Sequence, residues 1–292
     1  MIKQSIIPTS ILLILIVLSF SFKKRPKQNL LWEITSPETK EKSYLFGTIH
    51  LIEKEFFQFP DFLKEKINSS TFIVFETPYP ITSNLKDLLT LPEDRNLLEY
   101  FPQNEKEKIL NWSLKNLKMN QKEFLENYGK FKLFVLFQTI TQLPYLDNSV
   151  SYEQEIYKNL KLSSKKIEGL ETIEEQIELL DKIPEETQKT QIITAIDSAN
   201  QNQKILLEIQ KAYKAQDLQK IEMLINIESK NNLYPTDVFF NKRNKKWIPK
   251  IISKINSKST FIAVGAGHLP GEEGLINLLR KQGFKLKSIY IK

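Results

Sequence analysis

The chain contains no cysteine, which excludes disulfides, thiol catalysis and cysteine-type zinc sites. Histidine is almost as scarce. Only His50 and His268 occur in 292 residues, so no third imidazole is available as the base of a Ser-His-Asp triad if both are committed to a metal, and no Gly-x-Ser-x-Gly elbow is present. Arginine is sparse too: Arg25, Arg95, Arg243 and Arg280 are the only four among 42 basic residues, so lysine carries most of the net charge of +7. Nucleic-acid readers rely on arginine for bidentate contacts. The lysines here are interleaved with glutamate and fall in no nucleic-acid motif, so the charge reads as a solvated surface and no nucleic-acid partner is expected. Internal repeats are missing beyond one short motif, and low-complexity tracts are absent.

Long apolar runs are lacking as well. The stretch Ile11-Leu-Leu-Ile-Leu-Ile-Val-Leu-Ser-Phe20 is short for a bilayer span, which needs about 20 residues. It follows Lys3, has Ser19 and Ser21 near its end, and runs at once into Lys23-Lys-Arg-Pro-Lys27. That order resembles a secretory signal. Residues 1–28 are therefore expected to be a signal peptide or an N-terminal membrane anchor, with membrane association through residues 6–22. The protein is expected to be exported: periplasmic, secreted or membrane-anchored.

What is present is a globular composition, 41% hydrophobic and 26% charged, ample for a packed core over residues 29–292. Ser43-Tyr-Leu-Phe-Gly-Thr-Ile-His50 and Thr260-Phe-Ile-Ala-Val-Gly-Ala-Gly-His268 are both short apolar runs that end in Gly-x-x-His. Such runs predict buried strands of a parallel sheet. Thr71-Phe-Ile-Val-Phe-Glu76 is a third, and Lys165-Lys-Ile-Glu-Gly-Leu-Glu171 a weaker fourth. Ligands bind beyond the carboxyl ends of such strands, so His50, Glu76, Glu171 and His268 are expected on one rim.

The rest of the chain alternates. Residues 29–36 and the run ending at His50 predict a hairpin, and residues 60–68 a short helix leading to the Glu76 strand in a βαβ unit. Residues 81–148 are Leu-, Lys- and Glu-rich with helical spacing and predict a helical insertion, either a lid over the rim or an extension of the scaffold. Asn120 with Glu123, and Thr172 with Glu175, have the spacing of capping boxes. Residues 185–227 stay helical, residues 239–255 predict a helix kinked or interrupted near Pro249, and Pro270 is expected to open the final helix. The reading is an α/β fold: a mostly parallel central sheet with flanking helices and a large helical insertion.

Two imidazoles with one or two carboxylates form a set for a divalent metal (manganese, cobalt, zinc or iron) with an open position. Such a metal activates water and polarises a carbonyl. His50, His268, Glu76 and Glu171 are the candidate ligands. Glu76 is alternatively a general base, and Glu171 alternatively caps the helix that follows it. Arg243 and Asn244 either hold a substrate carboxylate or oxyanion or belong to a solvated helix face.

Leu45-Phe-Gly-Thr-Ile-His50, Val74-Phe-Glu76, Gly169-Leu-Glu-Thr172, Arg243-Asn244 with Trp247, and Val264-Gly-Ala-Gly-His-Leu-Pro-Gly-Glu-Glu-Gly274 together resemble the TraB/GumN family, which includes the Tiki metalloproteases. The resemblance runs from about Leu30 onward. It implies a fold similar to the erythromycin esterase and ChaN-like proteins, and a metal-dependent hydrolase whose histidines and first glutamate match His50, His268 and Glu76. Where family members often carry a second acid after that glutamate, this chain has Pro78 and Tyr79; where they often have Gly-x-Asp, it has Ser149-Val-Ser151. Two functions follow as expectations. One is an exported hydrolase, a peptidase acting on a peptide or other small molecule; the other is a non-catalytic extracytoplasmic binding protein for a peptide, haem or iron.

Overall fold

The computed structural model describes residues 28–80, 84–160, 165–230 and 235–291. The expected signal or anchor lies outside these residues apart from its last position. Among the described residues no helix is long and apolar enough to cross a membrane.

Strands β1 (Leu31–Thr35) and β2 (Lys42–Thr48) form the expected antiparallel hairpin, with Trp32 opposite Leu45. Helix α1 (Asp61–Ser69) then leads to β4 (Phe72–Phe75), and the short strands β3 (Ile52–Glu53) and β5 (Ser149–Val150) pair with each other at the side. With β6 (Lys166–Gly169), β7 (Thr260–Gly265) and β8 (Lys285–Ile289), the main sheet runs β6-β4-β7-β2-β1-β8. β6, β4, β7 and β2 are mutually parallel. β4 and β7 are buried almost throughout, because helices cover both faces of the sheet, and that is why these runs are continuously apolar instead of alternating. The expected βαβ unit differs in one respect: β7 sits between β2 and β4, so the two strands joined by α1 are not neighbours.

The insertion comprises α2 (Lys86–Leu89), α3 (Gln103–Asn116), α4 (Gln121–Tyr128) and α5 (Leu133–Gln142). The chain returns through α6 (Tyr152–Lys158), α7 (Ile173–Asp181), α8 (Glu185–Asp197), α9 (Ala199–Lys214) and α10 (Leu218–Lys230). The capping boxes at Asn120 and Thr172 are both formed. Ile109, Trp112, Phe124, Leu136 and Phe137 gather with Ile192 of α8 into a second hydrophobic core, separate from the one around the sheet. The insertion therefore extends the scaffold with its own apolar centre, and it recruits α8 to do so.

A π-helical turn, Asp237–Asn241, runs into α11 (Lys242–Ser257). This helix continues through Pro249 without the expected interruption. Lys245, whose carbonyl loses its partner at that proline, is exposed with it, so water can satisfy the freed group. The final helix α12 spans Leu275–Lys281 and does not begin at Pro270. Gly271 takes a positive φ of +88° just after that proline, a conformation no helix contains.

Candidate functional site

The four expected residues lie on four neighbouring parallel strand tips. Glu171 follows β6, Glu76 follows β4, His268 follows β7 and His50 follows β2, in the order of the sheet. Helix α11 lies across them and turns Arg243, Asn244 and Trp247 inward. Both Arg243 and Asn244 are buried, so the solvated-face alternative is set aside.

Arg243 has five N–H donors, and every one has an acceptor. Nε donates to Glu171 Oε1 at 3.0 Å, and Nη2 to Glu171 Oε1 at 2.6 Å and Glu76 Oε2 at 2.5 Å. Nη1 donates to the Phe239 carbonyl at 2.9 Å and faces His268 Nε2 at 3.2 Å. The guanidinium also lies 4.7 Å over the Trp247 ring, a cation–π contact. Glu171 spends its other oxygen on Trp247 Nε1 at 3.1 Å. Its two oxygens thus bind Arg243 and Trp247 and hold the pair in place. Arg243 in turn positions Glu76 and His268, with no donor left over for a substrate.

Burial pushes the Glu76 carboxyl up, but His268, Arg243, His50 and the Gly265 N–H together outweigh it and hold the group down at about 2. Burial likewise raises Glu171, against the pull of Arg243. For His268, burial is the largest influence and brings the imidazole down to about 3 despite Glu76. It is therefore neutral at ordinary pH, and Arg243 is the cation that keeps Glu76 ionised. Asn244 fixes the His268 tautomer. The Asn244 amide nitrogen donates to the His268 and Glu273 carbonyls at 3.2 and 2.8 Å, so its oxygen accepts from His268 Nδ1 at 2.7 Å. His268 Nε2 keeps its lone pair and faces Glu76 Oε1 at 3.5 Å. Trp247 and Phe240 close in on the ring at 4.4 and 5.0 Å between centroids.

His50 stands at the opposite pole of solvation, with 65% of its side chain open to water. Its Nδ1 faces Glu153 Oε1 at 3.2 Å. Glu153 is held by the Thr48 hydroxyl at 2.6 Å and the Ser151 hydroxyl at 2.9 Å. The Glu153 charge raises the imidazole above its ordinary value against the cost of desolvation, an effect that solvent at this exposure screens in part. Glu76 and Arg243 also act on His50, and His50 on His268, so the imidazoles are within electrostatic reach of each other.

Glu153 was not visible in the sequence reading, although a signal existed. Ser149-Val-Ser151 contains β5, which pairs with β3 just after His50, and Ser151 caps α6 at Gln154. The stretch that departs from the family pattern therefore delivers the acid that orients His50.

The glycine of each Gly-x-x-His motif has a distinct task. A Cβ on Gly47 would lie 3.0 Å from Ala266 Cα and 3.1 Å from Leu269 Cδ2, so the first motif packs directly on the turn that carries His268. A Cβ on Gly265 would lie 3.1 Å from Glu76 Oε1, and the Gly265 N–H donates to that same oxygen at 2.7 Å. Only a bare backbone permits both approaches.

Among the described residues no three His, Asp or Glu side chains are already gathered around one point. The donors nevertheless fit a divalent cation in kind. Each histidine has Nδ1 tied to an oxygen acceptor, the outer-shell arrangement of metal-binding histidines, and two buried carboxylates face a single guanidinium. The Arg243 contact to His268 Nε2 is the feature a cation would have to displace.

Comparison with curated proteins and with solved structures finds no match. A family model does match, over residues 30–288, a span that includes all four strand tips, Glu153 at the start of α6, and α11. The chain belongs to the TraB/PrgY/gumN family.

Proposed function

We propose that this protein is an exported, divalent-metal-dependent hydrolase acting on peptides, with His50 Nε2, His268 Nε2 and Glu76 as the metal-binding set. The observation that carries the reading is the pairing of the histidines. Both are anchored through Nδ1, by Glu153 and by Asn244; His268 Nε2 faces the Glu76 carboxylate at 3.5 Å, and His50 lies within electrostatic reach of the same carboxylate. A cation held there would supply polarisation of a scissile carbonyl and activation of water.

The chain's own residues divide the remaining work. The Arg243 guanidinium helps hold the Glu76 carboxyl ionised and below its ordinary range, which suits it to serve as a ligand. Arg243, Asn244 and Glu171 act as positioning residues: they fix the Glu76 carboxylate and the His268 tautomer. Glu153 does the same for His50. Because the Glu153 charge favours the protonated form of His50, loading the site displaces a proton, and affinity should rise as pH increases through the titration of that imidazole.

The test is metal content and cleavage of a peptide library by wild type, His50→Ala and Glu153→Gln. His50→Ala should lose metal and hydrolysis together while keeping its fold, since the ring is exposed. Glu153→Gln should weaken metal affinity about 10- to 100-fold. Equal cleavage in excess chelator sinks the metal reading. Arg243, with every donor occupied, is not free to take an oxyanion, and this favours the second reading, a non-catalytic binding protein for a peptide, haem or iron. Ligand binding at the His50 rim without cleavage under any metal would select it.

A further inference from the structure

The helices around the second hydrophobic core enclose a cavity of about 130 Å³. Trp112 of α3, Phe137 and Ile140 of α5, and Leu206 and Ile209 of α9 supply its apolar wall. Asn116, Thr141, Tyr145, Asn202, Gln203 and Glu228 are the polar residues of the lining. Two buried atoms among them, Oε1 of Glu228 from α10 and the hydroxyl of Tyr145, have no hydrogen-bond partner among the described residues. Glu228 is 7% exposed, and burial alone pushes its carboxyl above the usual range.

Buried polar groups are almost always partnered, and a carboxylate is the costliest kind to leave alone. A cavity of about 150 Å³ lined by aliphatic and aromatic carbon accepts a benzene ring, so this one suits a body of similar size. Glu228, unpartnered at Oε1, is the charged residue of the lining. A hydroxyl offers one donor, whereas an ammonium offers three and also neutralises a buried carboxylate.

We propose that this cavity binds a small primary amine carried on an apolar body, with the ammonium completing Glu228 and the apolar part resting against Trp112, Phe137 and Leu206. The site shares no residue with the strand-tip cluster and does not depend on the hydrolase reading.

The test is titration of the whole protein with benzylamine, benzyl alcohol and toluene, followed by calorimetry and amide chemical shifts. Benzylamine should bind one per chain, about tenfold or more tighter than the two neutral isosteres, and the shifts should map to α9 and α10. Glu228→Gln should remove that preference and leave toluene unchanged. Leu206→Trp, which fills the cavity, should abolish binding of all three, and it carries the test if Glu228→Gln does not fold. Equal affinity of the three compounds, a preference that survives Glu228→Gln, undiminished binding to Leu206→Trp, or shifts centred on His50 and Glu76 would each overturn the proposal.

Discussion

Arg243 bridges Glu76, Glu171 and His268 from one guanidinium, so its removal acts on stability before it acts on chemistry. Arg243→Ala leaves two buried carboxylates without their cation, and breaking such a pair costs about 3–5 kcal/mol. Urea denaturation should show a loss of that size. Arg243→Lys should recover only part of it, because three donors from a point charge cannot span five acceptor contacts. The site also sets the acid limit of the fold. Glu76 and Glu153 are both held at about 2, so their contributions are full above the ordinary carboxyl value of 4.5 and vanish as pH falls through about 2. His268 sits at about 3, below its unfolded value of 6.5; the unfolded chain binds more protons between those values, and stability falls with pH there too. Stability measured against pH should therefore decline from about 6.5 downward. Glu153→Gln should flatten the slope below 4.5 and leave the upper part unchanged. His50, Glu76 and His268 were legible because each is a rare or charged residue closing an apolar run. Glu153 was not, since nothing local separates it from the many glutamates around it; its role comes from a pairing across the long insertion.

At the level of elements, the two Gly-x-x-His segments are packed on each other as well as alike. Gly47→Ala would drive a methyl into Ala266, and overpacking of this kind costs about 1–3 kcal/mol. The expected result is a lowered melting temperature together with weakened metal retention, because the displaced turn carries His268. Unchanged metal affinity in a destabilised Gly47→Ala would show that the turn yields without moving the ring. Capping boxes, strand runs and the hairpin were legible since each is written in adjacent residues. The final helix was misread because Pro270 looks like a first-turn proline, and only the left-handed Gly271 reveals a loop instead. The recruitment of α8 into the second core was illegible for a different reason: its apolar face fits either core equally well in sequence.

Across the whole molecule, the parallel character of the sheet followed from continuous apolar runs, whereas the strand order did not. Which strand lies beside which is decided by packing between segments far apart in the chain. The export reading belongs at this scale too. Residues 1–28 joined to a reporter should carry it across the membrane, and full-length reporter recovered from the cytosol would count against it.

The place of β7 between β2 and β4 bears on when the protein can begin to work. A chain emerging amino end first presents His50 and Glu76 early, on two strands that have no common neighbour until Thr260–Gly265 arrives. His268, the Gly265 amide that grips Glu76, and the turn that Gly47 rests on all come with that late strand. The four strand tips therefore come together only once that late strand has been made.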